Sequence, residues 1–177
     1  MEADPEKQKD FLEEISSIDS SKLVYIDESG VRESLIPLRG WALAGTRSTI
    51  KQQGKRSRKV NVIGAYTNHK HLATCSFESN CNTDLFNTWL SDHLLPQLQK
   101  GAVIIMDNAR FHKSRKTKDL IEEAGCKLKY LPPYSPELNP IEKGWANMKN
   151  WLRKRLRKIG NIMEALELYF KDICQLT

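Results

Sequence analysis

The sequence predicts a mixed α/β domain in which helices cover both faces of one sheet. Short runs of strand-forming residues occupy the first half of the chain, and helical and strand-like patterns alternate from residue 82 onward. The most apolar run, Ala102 to Met106, is typical of a strand that is buried on both faces. The 177 residues suit one domain, and 40% hydrophobic with 28% charged residues is a globular rather than a disordered composition.

The first half of the chain is predicted to form a short helix and an antiparallel meander of strands. A weak helical pattern that includes Phe11 covers residues 5–16. Strand-forming runs follow at residues 23–26, 40–44, 60–66 and 72–77. The basic stretch 45–59 is interpreted as a loop or hairpin between the second and third of these strands.

The second half is predicted to alternate helices and strands. The predicted elements are a helix at 82–98, a strand at 102–106, a helix at 114–124, a strand at 127–131, and helices at 141–158 and 162–174. We judge the strand at 102–106 to be the most central of the sheet. The prolines of residues 132–136 favour a stiff, extended loop before the first of the last two helices. In that helix Trp145, Met148 and Leu152 recur at helical spacing, so we expect them in the core.

Positive charge is concentrated in two segments of the chain. Residues 47–59 hold six Lys or Arg and residues 143–158 hold seven, and neither segment contains an acid. Because the whole chain carries a formal charge of +6, the remainder carries −7. This segregation indicates a polyanionic partner, although two solvated faces would give the same pattern.

Composition also disfavours several classes of protein. No apolar run approaches the ~18 residues that cross a bilayer, and the acidic, polar first residues do not resemble a secretory signal. The four cysteines lack Cys-x-x-Cys spacing, so we interpret them as reduced thiols and expect a cytoplasmic protein. His69 and His71 form a His-x-His pair, which we interpret as surface histidines rather than metal ligands.

Three acids are distinguished by their positions in the predicted elements. Asp27 follows the first strand, Asp107 follows the apolar strand, and Glu142 begins the helix after the proline-rich loop. Carboxylates at strand ends and at a helix start can meet at one edge of a sheet. Such a group of oxygen ligands suits Mg²⁺ or Mn²⁺, and two such ions would support attack at a phosphodiester. Each acid alone could instead be a turn residue or a helix-dipole partner.

The sequence motifs around these acids resemble those of a known family. They are YIDESG at 25–30, RKVNVIGAY at 58–66, VIIMDNARFHKS at 103–114 and LPPYSPELNPIEKGWANMKNWLRK at 131–154. Together they resemble the catalytic domain of insertion-sequence transposases of the mariner-like DDE superfamily, insertion sequence 630 group. Thirty-four residues separate Asp107 from Glu142, as in that superfamily, and the likeness runs from about Leu23 to Arg155.

The resemblance implies an RNase H-like fold with a mixed five-stranded sheet. It implies that Asp27, Asp107 and Glu142 are the catalytic acids and the ligands of two Mg²⁺ ions, which Mn²⁺ can replace. The implied activity is DNA strand cleavage at transposon ends and transfer of the 3′ ends to target DNA. The implied partners are DNA and a second copy of the chain, as a homodimer in the synaptic complex, on bacterial nucleoid DNA.

Other residues are predicted to support the acids or to contact DNA. Asn108 and His112 follow Asp107 in the family-like DNAxxH word, and His112 is as well explained by packing near the next helix. Asn139 is predicted to N-cap the helix of Glu142, with Pro140 as its first residue. The predicted phosphate contacts are Lys51, Lys55, Arg56, Arg58, Lys59, Arg153, Lys154, Arg155, Arg157 and Lys158.

The beginning of the chain leaves the recognition of transposon ends open. We interpret residues 1–22 as the remnant of a linker helix and residues 23–177 as the catalytic domain, with no helix-turn-helix module ahead of it. Such a module could be supplied by frameshift fusion with an upstream part. Two alternatives remain at this point, a plain nuclease of the same fold and a catalytically silent DNA-binding remnant.

Overall fold

Five strands form one mixed sheet in the computed structural model, which describes residues 3–33, 43–45 and 58–172. The strands are β1 (Leu23–Arg32), β2 (Lys59–Thr67), β3 (Lys70–Phe77), β4 (Val103–Met106) and β5 (Lys127–Tyr130). Their order across the sheet is β3-β2-β1-β4-β5. β1, β2 and β3 are antiparallel neighbours, whereas β4 and β5 run parallel to β1. The predicted meander and the predicted mixed sheet are both confirmed.

Within the described residues, five helices pack against this sheet. They are α1 (Pro5–Ser16), α2 (Thr83–Trp89), α3 (Arg115–Glu123), α4 (Ile141–Ile159) and α5 (Ile162–Asp172). Short 3-10 turns at Ser20–Lys22, Arg110–Lys113 and Pro136–Leu138 join some of them to the strands. Asp4 caps α1 and Asn82 caps α2 through their side chains, as is usual for these residue types.

The alternation of side chains along β1 divides the core between the two faces of the sheet. Val24 and Ile26 belong to the cluster formed with α2 and α3. Leu23 and Tyr25 face the opposite side, where Phe11 of α1 completes a second cluster. Next to it, strands β1 and β2 pack against α4 and α5. Helices therefore cover both faces, as predicted.

Several details of the sequence prediction were wrong. β1 does not end before Asp27 but continues to Arg32, because Glu28 to Arg32 pair with β2 and this pairing outweighs the turn preference of the polar residues. The central strand is β1 rather than β4, although β4 is buried along its whole length. The predicted strand at 40–44 lies mostly outside the described residues, and its last residues belong to a turn at 43–45.

The predicted helix at 82–98 is only partly α-helical. After α2 the chain continues as a π-helical turn over Leu90–Leu94 and a 3-10 turn over Leu95–Gln97. Pro96 ends the regular hydrogen bonding here, because proline has no amide hydrogen to donate. The last residues of the predicted helix at 162–174 lie outside the described part of the chain.

None of the helices in the described residues is long and apolar enough to cross a membrane. In the same part of the chain Cys75, Cys81 and Cys126 are free thiols, as predicted, and Cys174 is outside it.

Candidate active site

The three acids singled out in the sequence line one cavity of about 300 Å³. β1 carries Asp27, the chain carries Asp107 immediately after β4, and the first turn of α4 carries Glu142. The cavity is also lined by Asn108, Asn139 and the loop 131–136. The structure therefore brings together side chains that are up to 115 positions apart in the sequence.

The pairing of β1 with β4 explains why two of the acids meet. The parallel register matches Tyr25 with Ile105, so Asp27 and Asp107 are each two residues beyond the last matched pair. Adjacent strands lie about 4.8 Å apart, so side chains at the same level of two strands are neighbours. β4 stops at Met106 while β1 continues, and the cavity opens at the edge where the two strands part.

Asp27 lies in an environment that disfavours its ionised form. Burial, followed by the negative charges of Glu142 and Glu28, raises the pKa of Asp27 to about 7. The indole N–H of Trp145 donates a hydrogen bond to Asp27 Oδ2 at 3.0 Å and opposes this shift only in part. Among the described residues, those that line the cavity include no lysine or arginine.

Asp107 is held by a fully buried histidine that bridges two carboxylates. His112 Nδ1 lies 2.8 Å from Asp107 Oδ1, and His112 Nε2 lies 3.1 Å from Glu28 Oε1. Burial lowers the pKa of His112, but the two carboxylates outweigh this effect and raise it to about 9. Both ring nitrogens then donate at neutral pH. The hydrogen bond from His112 holds the pKa of Asp107 below its usual value.

Asn108 and Asn139 both stabilise the rim of the cavity. Asn108 Nδ2 donates to the carbonyl of Leu131 at 2.6 Å and so ties the end of β4 to the end of β5. Asn139 is buried, and its side chain accepts from the amide of Ile141 at 3.4 Å. The N-cap prediction was off by one residue, because Pro140 occupies the cap position and α4 begins at Ile141.

The oxygen donors fit a hard cation, although their side chains are not gathered around one point. Asp27, Asp107 and Glu142 supply only carboxylate oxygens, the ligands that Mg²⁺ and Mn²⁺ prefer. Among the described residues, no three His, Cys, Asp or Glu side chains are arranged closely enough to hold a metal ion. The side chain of Glu142 is exposed at the helix start, so it can turn toward the two aspartates without disturbing the core.

Comparison with known families decides what kind of domain this is. The family model described as DDE superfamily endonuclease matches residues 22–164, which is most of the chain. The chain belongs to the DDE superfamily of endonucleases. The prediction of that superfamily is thereby confirmed, and the narrower assignment to the insertion sequence 630 group stays a prediction.

Curated relatives match parts of this DDE domain. The Tc3 transposase of Caenorhabditis elegans is 37% identical over 90 residues, which cover 49% of this chain and 27% of that protein. An uncharacterised protein of Sinorhizobium fredii, y4pE/y4sA, is 45% identical over 58 residues, 32% of this chain and 41% of that protein. The matches thus span less than half of either relative.

Solved structures share the fold of the DDE domain. The catalytic domain of the Mos1 mariner transposase superposes with a TM-score of 0.66 at 14% identity, covering 97% of this chain and 79% of that one. The Mos1 strand transfer complex gives 0.77 at 14% identity and covers 100% of this chain and 56% of the Mos1 chain. The predicted RNase H-like architecture with a mixed five-stranded sheet is confirmed.

The predicted DNA-contacting residues fall into three groups in the DDE domain. Lys51, Lys55 and Arg56 lie outside the described residues. Arg58 forms an ion pair with Glu78, and Lys59 is exposed at the start of β2. The remaining five lie near the C-terminal end of α4 and are described next.

The second half of α4 presents a basic surface, which we call the α4 tail. Its cations are Arg153, Lys154, Arg155, Arg157 and Lys158. Arg155 lies over the ring of Trp151, 4.7 Å from its centroid, and Arg153 Nη1 donates to Asn150 Oδ1 at 2.8 Å. Lys154, Arg157 and Lys158 are exposed. In the described residues, none of these five forms an ion pair with an acid.

Sequence reasoning missed three side chains around the DDE acids. Glu28 follows Asp27 in the sequence but was given no role. Strand alternation points it to the opposite face of the sheet, where it holds His112. Trp145 was correctly predicted to be buried, but its indole hydrogen bond to Asp27 was not foreseen. His71 was wrongly interpreted as a surface residue, because its ring is buried among Tyr66, Trp145 and Phe170.

Proposed function

We propose that this chain is the catalytic domain of a transposase that cleaves DNA strands and transfers them, using divalent metal ions. The observation that carries the proposal is the cavity shared by Asp27, Asp107 and Glu142. Three acids from separate elements, with no lysine or arginine among the described residues that line the cavity, suit cations better than an uncharged ligand. Membership of the DDE superfamily supports the same chemistry.

The metal ions would be Mg²⁺, or Mn²⁺ in its place, held by the three carboxylates. Solved structures of the Mos1 catalytic domain are described with Mn and with Mg, which supports this choice. Two such ions activate an attacking oxygen and stabilise the leaving oxygen of a phosphodiester. Because burial and the neighbouring carboxylates raise the pKa of Asp27, a cation would bind there in competition with a proton.

The chain's own residues would fix the geometry of this site. His112 orients Asp107 through a charge-assisted hydrogen bond, and Glu28 holds the other nitrogen of the same ring. Asn108 ties the strand end to the proline-rich loop, which leads into the helix of Glu142. Rigid support of this kind keeps carboxylates near their working positions.

The proposed substrate and partner is DNA. The exposed cations of the α4 tail suit backbone phosphates, which give affinity and register without reading sequence. Mos1 structures are described as complexes with transposon ends, which supports transposon ends and target DNA as the substrates here. Homodimerisation in the synaptic complex, a separately encoded helix-turn-helix part and action on nucleoid DNA in the cytoplasm belong to the same proposal.

The test is a pair of assays on the purified chain with Mg²⁺ or Mn²⁺. Nicking is measured on supercoiled plasmid DNA, and joining is measured by transfer of a labelled duplex with a free 3′-hydroxyl into that plasmid. Asp107→Asn should abolish both activities because it removes a ligand charge. The matched control is Asp119→Asn on exposed α3, where the carboxylate only pairs with Arg115 and activity should be retained.

Each outcome of these assays decides between the candidates. Nicking and joining that need metal and are lost in Asp107→Asn support the proposal. Metal-dependent nicking with no joining would instead indicate a plain nuclease. DNA binding without either activity, with circular dichroism showing a folded protein, would indicate a silent DNA-binding domain and refute the proposal.

A further inference from the structure

Trp145 connects two of the three acids of the candidate metal site. It lies on α4 three residues after Glu142, and its indole nitrogen donates to Asp27 Oδ2 at 3.0 Å. The side chain of Trp145 is 1% exposed, so its indole N–H donates from within the core to the half-buried Asp27. One helical turn therefore carries both Glu142 and the group that holds Asp27.

Close packing fixes the position of the Trp145 ring. On β2 a Cβ atom added to Gly64 would lie 3.0 Å from Thr74 Cγ2 and 3.2 Å from Trp145 Cη2, so the indole is packed tightly against this position. The ring of His71 lies 4.9 Å from that of Trp145, centroid to centroid, at an interplanar angle of 32°.

The position of the His71 ring in turn requires a residue without a side chain on α4. A Cβ atom added to Gly144 would lie 2.5 Å from His71 Nε2 and 2.7 Å from Cε1, closer than side chains can approach. Gly144 thus lets His71 pack beside Trp145. The direction of the indole N–H is set by this packing and not by a free rotamer.

A carboxylate held at one oxygen has one orientation left for its other oxygen. The bond from Trp145 engages Oδ2 of Asp27 and so restricts the directions in which Oδ1 can point. Groups that orient metal ligands in this way affect metal affinity without touching the ion.

We propose that Trp145 is a positioning residue of the metal site, whose indole N–H orients Asp27 so that α4 sets the geometry of two ligands together. This inference rests on the proposed metal-dependent function. Trp145→Phe removes the N–H and keeps an aromatic ring in the core, so it tests the hydrogen bond more than the packing.

The chain offers a matched control for this substitution. Trp89 is 2% exposed, and its indole nitrogen donates to the carbonyl of Ala73 at 2.6 Å on the other face of the sheet. Trp89→Phe therefore deletes the hydrogen bond of a comparably buried indole away from the acids. A purely structural role would give both variants the same consequences.

The experiment measures Mn²⁺ binding by titration calorimetry on the full chain without DNA. Trp145→Phe should raise the Mn²⁺ dissociation constant roughly 10-fold or more, the size of effect expected for groups that orient ligands. Trp89→Phe should leave it unchanged. In the plasmid assay the metal concentration for half-maximal nicking should rise in Trp145→Phe alone, and saturating metal should restore much of the rate.

A second measurement uses the wild-type protein, in case Trp145→Phe does not fold. With ¹⁵N-labelled tryptophan, the indole resonance of Trp145 is assigned by elimination using Trp41→Phe, Trp89→Phe and Trp151→Phe. Addition of Mg²⁺ should shift the Trp145 resonance and leave that of Trp89 in place. A Trp145 resonance that stays in place at saturating Mg²⁺ would overturn the inference.

The results separate this inference from the proposed function. A wild-type chain that binds no Mn²⁺ and nicks no DNA would refute the proposed function itself. If the wild type binds and nicks while Trp145→Phe matches its metal affinity, or both tryptophan variants lose affinity equally, only the positioning role is refuted.

Discussion

Asp27 and Asp107 line the same cavity, yet their surroundings move their pKa values in opposite directions. Burial and neighbouring acids raise the pKa of Asp27, whereas the hydrogen bond from His112 lowers that of Asp107. The same side chain is therefore harder to ionise at position 27 and easier to ionise at position 107. At Asp27 burial and the surrounding acids outweigh the hydrogen bond from Trp145, whereas at Asp107 the hydrogen bond from His112 outweighs burial.

Sequence reasoning at this scale identified the acids but not the residues that set their charge. Asp27, Asp107 and Glu142 lie in sequence motifs that are long enough to reveal a resemblance to a family. The bridge from Glu28 to His112 joins residues 84 positions apart, and only the folded sheet brings them together. No local pattern marks such a contact.

His71 provides a pH-dependent prediction. Burial lowers the pKa of His71 from 6.5 to about 4, and within the described part of the chain neither ring nitrogen has a hydrogen-bond partner of normal geometry. The unfolded chain therefore binds the proton first as the pH falls, so stability is kept above pH 6.5 and lost progressively down to about pH 4. The loss should reach about 3 kcal/mol.

The measurement is urea unfolding of wild type and His71→Met between pH 7 and pH 4. Methionine fills a similar volume without a titrating group. The free energy of unfolding of the wild type should fall more steeply than that of the variant through this window. Parallel curves would show that His71 accepts a proton in the folded state at no cost.

At the scale of elements, α4 would both carry a catalytic acid and contact DNA under the proposed function. Its first turn carries Glu142, and its exposed cations lie near the other end. From Glu142 to Lys158 the helix rises about 24 Å, roughly the length of seven base pairs of DNA. Helical periodicity predicted the element and its buried face, because both follow from local spacing.

Charge reversal in the α4 tail should weaken DNA binding at every sequence. Lys154→Glu with Lys158→Glu replaces two exposed cations that would face phosphates. The dissociation constant for a random duplex should rise, and the slope of log affinity against log salt should decrease by about 0.9 for each phosphate that the variant no longer neutralises. Fluorescence anisotropy across a salt titration measures both quantities.

The matched control is Lys116→Glu with Lys118→Glu on α3. These lysines are equally exposed and change the net charge by the same amount, but α3 packs on the other face of the sheet. Equal losses of affinity in the two double variants would mean that net charge, rather than the α4 tail, controls binding.

At the scale of the whole molecule, α1 is packed into the domain that carries the acids. Phe11 is buried against Leu23, Tyr25 and other residues of the sheet. Gln8 Nε2 donates to Ser135 Oγ at 2.9 Å, so α1 also contacts the loop that leads to Glu142. The interpretation of residues 1–22 as a linker remnant was based on a weak apolar pattern, which could not reveal these distant contacts.

Phe11→Ala should destabilise the whole domain by about 3 kcal/mol, because it leaves a cavity between α1 and the sheet. The free energy of unfolding, measured in urea, gives the effect directly. Leu12→Ala is the control, since Leu12 is 47% exposed on the same helix and should cost less than about 1 kcal/mol. Equal small losses would indicate that α1 adds little to the stability of the domain.

If the proposed function holds, Gly144 bears on how genomic copies of a transposon that encodes this domain are classified as active or inactive. Substitutions accumulate in inactive copies of a transposon. A survey that inspects only Asp27, Asp107 and Glu142 would classify a copy as intact even if residue 144 were no longer glycine. Any side chain there would collide with His71 beside the indole that holds Asp27. Under the proposed function and the positioning role of Trp145, residue 144 should therefore be inspected together with the three acids when a copy is scored as active.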